Sequence, residues 1–359
     1  MRKIFILNGG SQDDLIALIY LASRPDIKIV GIAVENTGAA HGFEGTKNIA
    51  ALCNFLGLPS MPIAYSLGQQ PISKPYLPFP NYFRQMADNI LHNKLDPIYF
   101  NNFNNNPNAI ELLYITMAQS LEKITILVTG PLTNLAQFFI LYPNLVHKIE
   151  RIVIMGGALN VPGNIQELDP NSVNTQAEWN ILADPQAADI IFNSGMDTTL
   201  VPLDATNQVP ITKSFYQTLS ESQNQYVKLI FSLYKNLHDS MGDYVFFNTV
   251  FLRSPLAALL LTHPPMARYE ALPVCVDIPS GKTHKTYEIL RPIQVATKIV
   301  EPHAVLTFLQ DSITSIHMPI DATQGFQKVL SFKEPQPQRI HAKIPIEKSK
   351  PRIRSNTFS

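Results

Sequence analysis

The sequence predicts an α/β protein with a Rossmann-like, mainly parallel sheet and helices on both faces. Strand-like and helix-like segments alternate through the first two-thirds of the chain. The strand-like segments are apolar almost without interruption, which is typical of parallel strands buried on both sides. A chain of 359 residues is also long enough to bury a large core. Together these three observations favour a doubly wound fold.

The elements follow one another in a regular order. Strands are predicted at residues 4–8, 27–34, 62–64, 124–128, 152–155 and 198–201. The helices predicted between them cover residues 11–22, 43–56, 108–121, 132–141 and 185–193. Later in the chain, the pattern predicts helices at residues 226–237 and 248–261 and strands near Cys275 and at 286–299.

Composition restricts the class of protein. The formal net charge is zero, which disfavours a nucleic-acid-binding surface over the whole protein. Cys53 and Cys275, the two cysteines, lie in apolar contexts and are interpreted as buried thiols in a reducing compartment. No segment reaches the roughly 18 consecutive apolar residues of a membrane span. We therefore expect a cytoplasmic protein with neither nucleic acid nor membrane as a partner.

Two segments depart from the regular pattern. Residues 69–107 form a long polar and aromatic insertion within the predicted domain, which we take as residues 1–330, and such loops are often lids. Residues 333–359 are rich in Lys, Arg and Pro and predict a basic, disordered tail. A solvated end without a partner is favoured over nucleic-acid binding for this tail.

The first strand ends at a turn that is followed by two acids. Asp13 and Asp14 come after Gly9-Gly10-Ser11 and fall in the first turn of the predicted helix. Carboxylates at the carboxyl edge of a parallel sheet are placed to bind a cation or sugar hydroxyls. The alternative is a structural one, because acids are common in first helical turns and Ser11 is a plausible N-cap.

Polar residues also follow the later strands. Thr129 precedes Gly130-Pro131, where the ladder must end because proline lacks an N–H group. Glu178 and Asn180 form a polar pair in a predicted loop before a helix, and their oxygens and amide group suit recognition of a polyol. Each signal by itself is weak, because such residues are more often solvated or capping.

Taken together and in this order, the segments resemble the inosine–uridine nucleoside hydrolase family from about residue 3 to about residue 265. The motifs that carry the resemblance are Thr129-Gly130-Pro131-Leu132-Thr133-Asn134-Leu135-Ala136, Met155-Gly156-Gly157, Gly163-Asn164, Ala177-Glu178-Trp179-Asn180 and Asp184-Pro185-Gln186-Ala187-Ala188. The resemblance implies a fold of the nucleoside hydrolase type, calcium as cofactor, and hydrolysis of the N-glycosidic bond of ribonucleosides to base and ribose.

The resemblance also assigns roles to single residues. It implies that Asp13 binds the ribose and that Asp14 and the backbone carbonyl of Thr129 bind calcium. Asn164, together with the Glu178–Asn180 pair, matches positions that hold ribose hydroxyls in the family. The expected ligand is a ribonucleoside or another small molecule containing ribose, and a homo-oligomer is consistent with the family.

The chain departs from the family pattern at its catalytic centre. The position of the general base is Gly9, and Ser254 stands where the family has a third metal-binding acid. Arg253 replaces a histidine that often protonates the base, and arginine cannot act as a general acid. Calcium binding is therefore predicted to be weak or lost. The other acids that could replace the missing ones are Glu35, Glu167, Asp169 and Asp243.

Two functional hypotheses follow from these departures. The first is a nucleoside hydrolase with impaired or altered catalysis. The second is a pseudoenzyme that binds a nucleoside or ribose, or acts as a scaffold, without hydrolysis. The family resemblance favours the first, whereas the missing acids at Gly9 and Ser254 favour the second.

Overall fold

The computed structural model describes residues 1–65, 71–72, 77–92, 94–95, 108–286 and 291–315. Residues Met1–Ala322 form one compact unit. The predicted tail at 333–359 lies outside the described residues, and so does most of the second half of the predicted insertion at 69–107. Among the described residues, no helix has both the length and the apolar character needed to cross a membrane.

The strands build a large, mainly parallel sheet. They are β1 (Arg2–Asn8), β2 (Ile27–Val34), β3 (Ile63–Tyr65), β4 (Ile124–Val128), β5 (Ile149–Met155), β6 (Thr198–Val201), β7 (Ala267–Leu272), β8 (Val274–Asp277), β9 (Lys282–Lys285) and β10 (Ile293–Ile299). Eight of them form one sheet in the order β3-β2-β1-β4-β5-β6-β10-β7, in which only β7 runs antiparallel to its neighbour. Strands β8 and β9 pair separately as an antiparallel hairpin.

The helices fill the connections between the strands. They are α1 (Gln12–Ala22), α2 (Gly42–Phe55), α3 (Asn81–Asp88), α4 (Ala109–Gln119), α5 (Thr133–Leu141), α6 (Ile165–Leu168), α7 (Trp179–Ala183), α8 (Pro185–Phe192), α9 (Leu203–Thr206), α10 (Lys213–Glu221), α11 (Gln225–Thr249), α12 (Ser254–Thr262) and α13 (Pro302–Thr314). Most predicted boundaries in the first two-thirds of the chain agree with these to within a few residues.

The sheet is buried on both faces, as predicted. In β1, Ile4 and Ile6 belong to one apolar core with residues of α1, α11 and α12. Phe5 and Leu7 point the other way, into a second core with residues of α4, α5 and α8. This alternation follows from the two-residue period of a strand. It explains why β1 is apolar at every position from Ile4 to Leu7.

The reversal of strand order places a crevice at the carboxyl ends of β1 and β4. The chain builds β2 and β3 on one side of β1 and β4 to β6 on the other, and Leu7 pairs with Val128 across the switch. Gly9 and Gly130 then pack backbone on backbone, because a Cβ atom at Gly130 would lie 2.7 Å from the Gly9 Cα. Open α/β sheets bind their ligands at such switch points.

Several sequence predictions were wrong or incomplete. The predicted helix at 248–261 begins only at Ser254, because Ile211 and Leu252 engage in backbone bonds that hold the chain after Thr249 extended. The predicted strand at 286–299 is a strand only in β10, and residues 287–290 lie outside the described residues. Strands β7 and β9 and helices α3, α6, α7, α9, α10 and α13 were not predicted. Cys53 is a buried thiol as predicted, whereas Cys275 is only half-buried and contacts His284.

Candidate active site

The sequence-predicted positions converge on one cavity of about 460 Å³ at the carboxyl edge of the sheet. It lies where the chain leaves β1, β4 and β5. Lining residues include every position to which the family resemblance assigned a role, namely Gly9, Asp13, Asp14, Thr129, Asn164, Glu178, Asn180 and Ser254. Residues that are up to 245 positions apart in sequence therefore meet at one place.

Asp14 is buried and fully engaged with protein donors. Its Oδ2 accepts a hydrogen bond from the Ser11 backbone N–H at 2.7 Å, which completes the predicted cap of α1. Its Oδ1 accepts a hydrogen bond from the Ser254 hydroxyl at 2.8 Å, and the Thr129 side chain contributes another. Burial raises the pKa of Asp14, and these hydrogen bonds partly oppose that rise.

We expect Ser254→Ala to lower the free energy of unfolding by about 1–3 kcal/mol, because a buried carboxylate loses a donor. Urea denaturation measures the change. Ser220→Ala is the matched control, since the exposed Ser220 hydroxyl donates only to a carbonyl of its own helix. Equal stability of the two variants would contradict the prediction.

Asp13 faces the start of α12. Its Oδ2 accepts a hydrogen bond from the Arg253 backbone N–H at 3.1 Å, and the Ser254 backbone contributes a second one. Burial raises the pKa of Asp13 to about 6, against the lowering effect of the Arg253 charge. The acid pair thus joins two helix N-termini, with Asp14 capping α1 and Asp13 capping α12.

The polar floor of the cavity comprises Asp13, Asn164, Glu178 and Asn180. Asn164 Oδ1 accepts from the Trp179 backbone N–H at 3.0 Å. Glu178, expected in a loop, is the N-cap of α7, and its Oε2 accepts from the backbone of Gly157 at 3.1 Å and of Ile181 at 3.2 Å. Burial raises the pKa of Glu178. These bonds fix each side chain on regular structure beside the cavity.

Asn180 ties two strand ends together. Its Nδ2 donates to the carbonyl of Thr129 at 3.1 Å and to that of Met155 at 3.2 Å. The Thr129 carbonyl, which the family resemblance assigned to calcium, therefore already accepts a hydrogen bond from a side chain. The amide of Asn180 thus occupies the place between the ends of β4 and β5.

A bidentate ion pair crosses the cavity. Arg253 Nη2 lies 2.7 Å from both carboxylate oxygens of Glu167, a residue of α6. The positive charge of Arg253 also lowers the pKa values of Asp13 and Glu178, against the opposing effect of their burial. Among the described residues that line the cavity, Arg253 is the only lysine, arginine or histidine. Nothing in the local sequence indicates this pair, because its members are 86 positions apart in the chain.

An apolar half completes the cavity. We call Phe79, Phe83 and Trp179 the aromatic wall, in which Phe79 stacks on Trp179 with ring centroids 4.9 Å apart. Helix α3, inside the predicted insertion, is anchored because Arg84 donates to the carbonyl oxygens of Asn36 and Ala40. The Phe79-Pro80 segment and Arg84 were the sequence signals that could have located this wall.

The other candidate acids do not replace the missing ones. Glu35 is buried elsewhere against the backbone N–H of Asn134, and Asp243 bonds His238 at 2.7 Å on the surface. Asp169 is not a lining residue, whereas Glu167 lines the cavity but is engaged by Arg253. None of the four therefore stands beside Asp14 as a substitute base or metal ligand.

The donor set does not fit a calcium ion. A Cβ atom at Gly9 would lie 3.0 Å from the Gly130 Cα and 3.1 Å from Asp14 Oδ2, so an acid there requires the neighbours to move. Asp14 and the Thr129 carbonyl already accept protein hydrogen bonds. Within the part of the chain that the structure describes, no three His, Cys, Asp or Glu residues are grouped to hold a metal. Calcium requires about six to eight oxygen ligands.

Fold and cavity together define a Rossmann-like α/β protein whose small-molecule cavity lies at the switch point of its sheet. A family model described as inosine-uridine preferring nucleoside hydrolase matches residues 8–305, and the chain belongs to this family. The predicted family is thereby confirmed. The match extends beyond residue 265, where the sequence motifs ended. Members of this family are nucleoside N-ribohydrolases, which bind ribonucleosides as substrates.

Known proteins agree with this assignment. Probable uridine nucleosidase 2 of Oryza sativa subsp. japonica is 29% identical over 268 residues, which cover 73% of this chain and 74% of that protein. Pyrimidine-specific ribonucleoside hydrolase RihA of Shewanella sp. (strain MR-7) is 32% identical over 247 residues, covering 65% and 68%. The crystal structure of the inosine-uridine preferring nucleoside hydrolase from Bacillus anthracis matches with a TM-score of 0.72 at 22% identity, covering 88% of this chain and 100% of that one. This last likeness confirms the predicted fold.

Proposed function

We propose that the cavity binds a ribonucleoside and that the chain hydrolyses its N-glycosidic bond with impaired or altered catalysis. The observation that carries this proposal is that the polar floor and the aromatic wall line the same cavity. Carboxylate and amide groups suit the ribose hydroxyls, and aromatic rings suit a nucleobase. Ribose would lie on the floor and the base against the wall.

The chemistry of the reaction explains both the activity and its impairment. An N-glycosidic bond breaks through an oxocarbenium-like transition state, which negative charge near the ribose stabilises. Asp13 and Glu178 supply that charge. A positioned general base contributes about a hundredfold to ten-thousandfold, and Gly9 supplies none. We therefore expect turnover to be slower than in family members that keep the acid, and calcium to be weakly bound or not bound.

Uridine is the first nucleoside to test, because relatives of this chain carry the name uridine nucleosidase. Trp179 is the single tryptophan of the sequence and lines the cavity, so its fluorescence reports on binding. We expect uridine to quench this fluorescence saturably and uracil to appear slowly in chromatography of the incubated mixture. Inosine in parallel shows the base preference.

We expect Glu178→Gln to weaken uridine binding by roughly tenfold or more, because a hydrogen bond to a charged group contributes about 1.5–3 kcal/mol. The glutamine oxygen can keep the backbone bonds of the N-cap, so the fold should be retained. Glu270→Gln, on the edge strand β7 and outside the cavity, is the matched control. Uridine binding that is equal in both variants, or absent from the wild type, would contradict the proposal.

A second candidate function is binding without hydrolysis. Gly9 and Ser254 favour it, because neither can supply the base or the metal ligand that the family uses. Saturable quenching by uridine with no release of uracil would support this pseudoenzyme, whereas uracil release above the uncatalysed rate would support the hydrolase. A cytoplasmic location and a homo-oligomeric state remain predictions from the sequence.

A further inference from the structure

We propose that the acidic cavity is stabilised without a metal ion, because Arg253 and the start of α12 supply the positive charge that a divalent cation would otherwise supply. This inference deepens the proposed function. Only its nucleoside-binding measurement depends on that function, whereas its metal-binding measurements do not. It assigns Arg253 as a positioning residue for the acids of the cavity.

The acid pair lies at the N-terminal ends of two helices. Helices α1 and α12 both begin here, and the positive ends of their dipoles point at Asp13 and Asp14. Asp13 accepts the backbone N–H of Arg253, and Asp14 accepts the hydroxyl of Ser254. The acid pair is thus partly compensated by two helix N-termini and one hydroxyl group, and burial still raises the pKa of each acid.

The guanidinium group of Arg253 supplies a fixed positive charge in the cavity. Arg253 binds both oxygens of Glu167 at 2.7 Å, and its charge acts on Asp13 and Glu178. A guanidinium group remains protonated at any working pH and suits a carboxylate bidentately. One fixed cation therefore serves acids from three separate segments of the chain.

The oxygens that a metal ion would need already have protein partners. Both oxygens of Asp14 already accept protein hydrogen bonds, which reduces what they can offer a metal ion. The Thr129 carbonyl accepts from Asn180, and Gly9 offers no side chain. A divalent cation would have to share these oxygens with protein donors and also approach a guanidinium group of like charge, which is unfavourable in a partly buried site.

Metal binding to the wild-type protein tests the proposal without any activity measurement. The melting temperature is compared after EDTA treatment and in millimolar calcium, and terbium luminescence sensitised by Trp179 reports an ion in the cavity. We expect neither a calcium-dependent rise in melting temperature nor saturable sensitised emission. Either a clear rise or saturable emission at micromolar terbium would overturn the proposal.

The Arg253→Met variant tests whether the positive charge of Arg253, and not only its packing, takes the place of a metal ion. Removing one unit charge from partly buried acids should increase the affinity for terbium by about tenfold or more. The same variant should gain a calcium-dependent rise in melting temperature. Arg24→Met, which removes an arginine paired with Asp26 outside the cavity, should respond as the wild type does. An Arg253→Met protein that folds but ignores both ions would overturn the proposal.

Ser254→Asp provides a second variant in case Arg253→Met does not fold. It places a carboxylate beside Asp14 and should create terbium binding that the wild type lacks. Emission that is already saturable in the wild type and unchanged in Ser254→Asp would overturn the proposal.

Uridine binding separates the failure of this inference from failure of the proposed function. Quenching of Trp179 by uridine in the presence of EDTA supports both. Quenching that appears only when calcium is added overturns the metal-free site and leaves the proposed function standing. No quenching under either condition overturns the proposed function, while the melting and terbium measurements still decide the present proposal.

Discussion

Asp13→Asn is expected to stabilise the protein by about 3 kcal/mol at pH 7 and, at the same time, to abolish uridine binding. Burial raises the pKa of Asp13 from 3.8 to about 6, and each unit of pKa corresponds to about 1.4 kcal/mol. The carboxylate is thus costly in its ionised form. We attribute this cost to a role in binding ribose, which asparagine would not fulfil.

The stability gained by Asp13→Asn depends on pH, because the pKa of Asp13 differs between the folded and unfolded states. Because the pKa of Asp13 is higher in the folded state than in the unfolded state, the folded protein binds the proton more tightly. The stability that protonated Asp13 contributes is complete below about pH 3.8 and is lost as the pH rises through about 6. The advantage of Asp13→Asn over the wild type should therefore be absent near pH 3.5, grow between these values and stay constant above them.

Urea denaturation at a series of pH values measures this difference. Taking the variant minus the wild type cancels the titration of the other acids of the cavity. Asp311→Asn, at an exposed position on α13, is the control and should give a difference that is small at every pH. A destabilised Asp13→Asn protein at pH 7 would show that the contacts of Asp13 outweigh its desolvation.

Gly163→Ala is expected to destabilise the protein by about 3 kcal/mol or more, because the added methyl group has no space. A Cβ atom at Gly163 would lie 2.6 Å from both the nitrogen and the carbonyl carbon of Ala177. This close contact joins two segments of the polar floor, since Asn164 and Glu178 directly follow these residues. The added methyl group would push these two segments apart and should therefore also weaken uridine binding.

Thermal and urea denaturation measure the loss, and Trp179 quenching measures uridine binding. Gly242→Ala is an informative control, because Gly242 has a φ of 75° but no atom within 4 Å of its added Cβ. It should cost about 1–3 kcal/mol from backbone strain alone, because its φ of 75° and ψ of 161° lie in a region that is essentially restricted to glycine, and it should leave uridine binding unchanged. A Gly163→Ala protein as stable as the wild type would contradict the steric argument.

Local patterns were sufficient to predict the fold and the location of the site. The apolar run of β1 is buried on both faces, and the turn after it ends at the crevice of the sheet. Ser11 caps α1 as its position before two acids indicated. These features depend on neighbouring residues and on strand and helix periods, which a sequence displays directly.

Long-range contacts were beyond such patterns. The extended segment before α12 exists because its backbone pairs with Val209 and Ile211, more than 35 positions earlier. Its irregular backbone brings Arg253 to the cavity, where it meets Glu167. Likewise, α3 reaches the cavity through contacts of Arg84 with the segment after β2. Nothing in the neighbouring residues specifies any of these partners.

The α/β fold, the family and the positions that line the cavity were predictable from the sequence, because strand periodicity and short motifs are local. The family resemblance also indicated that Gly9 and Ser254 depart from the catalytic pattern. What surrounds these two positions depends on long-range contacts of the folded chain. Hydrogen bonds from Ser254 and Asn180 and the charge of Arg253 occupy the acids and carbonyl oxygens that a metal would need. These partners are distant in sequence and meet only when the sheet brings the strand ends together.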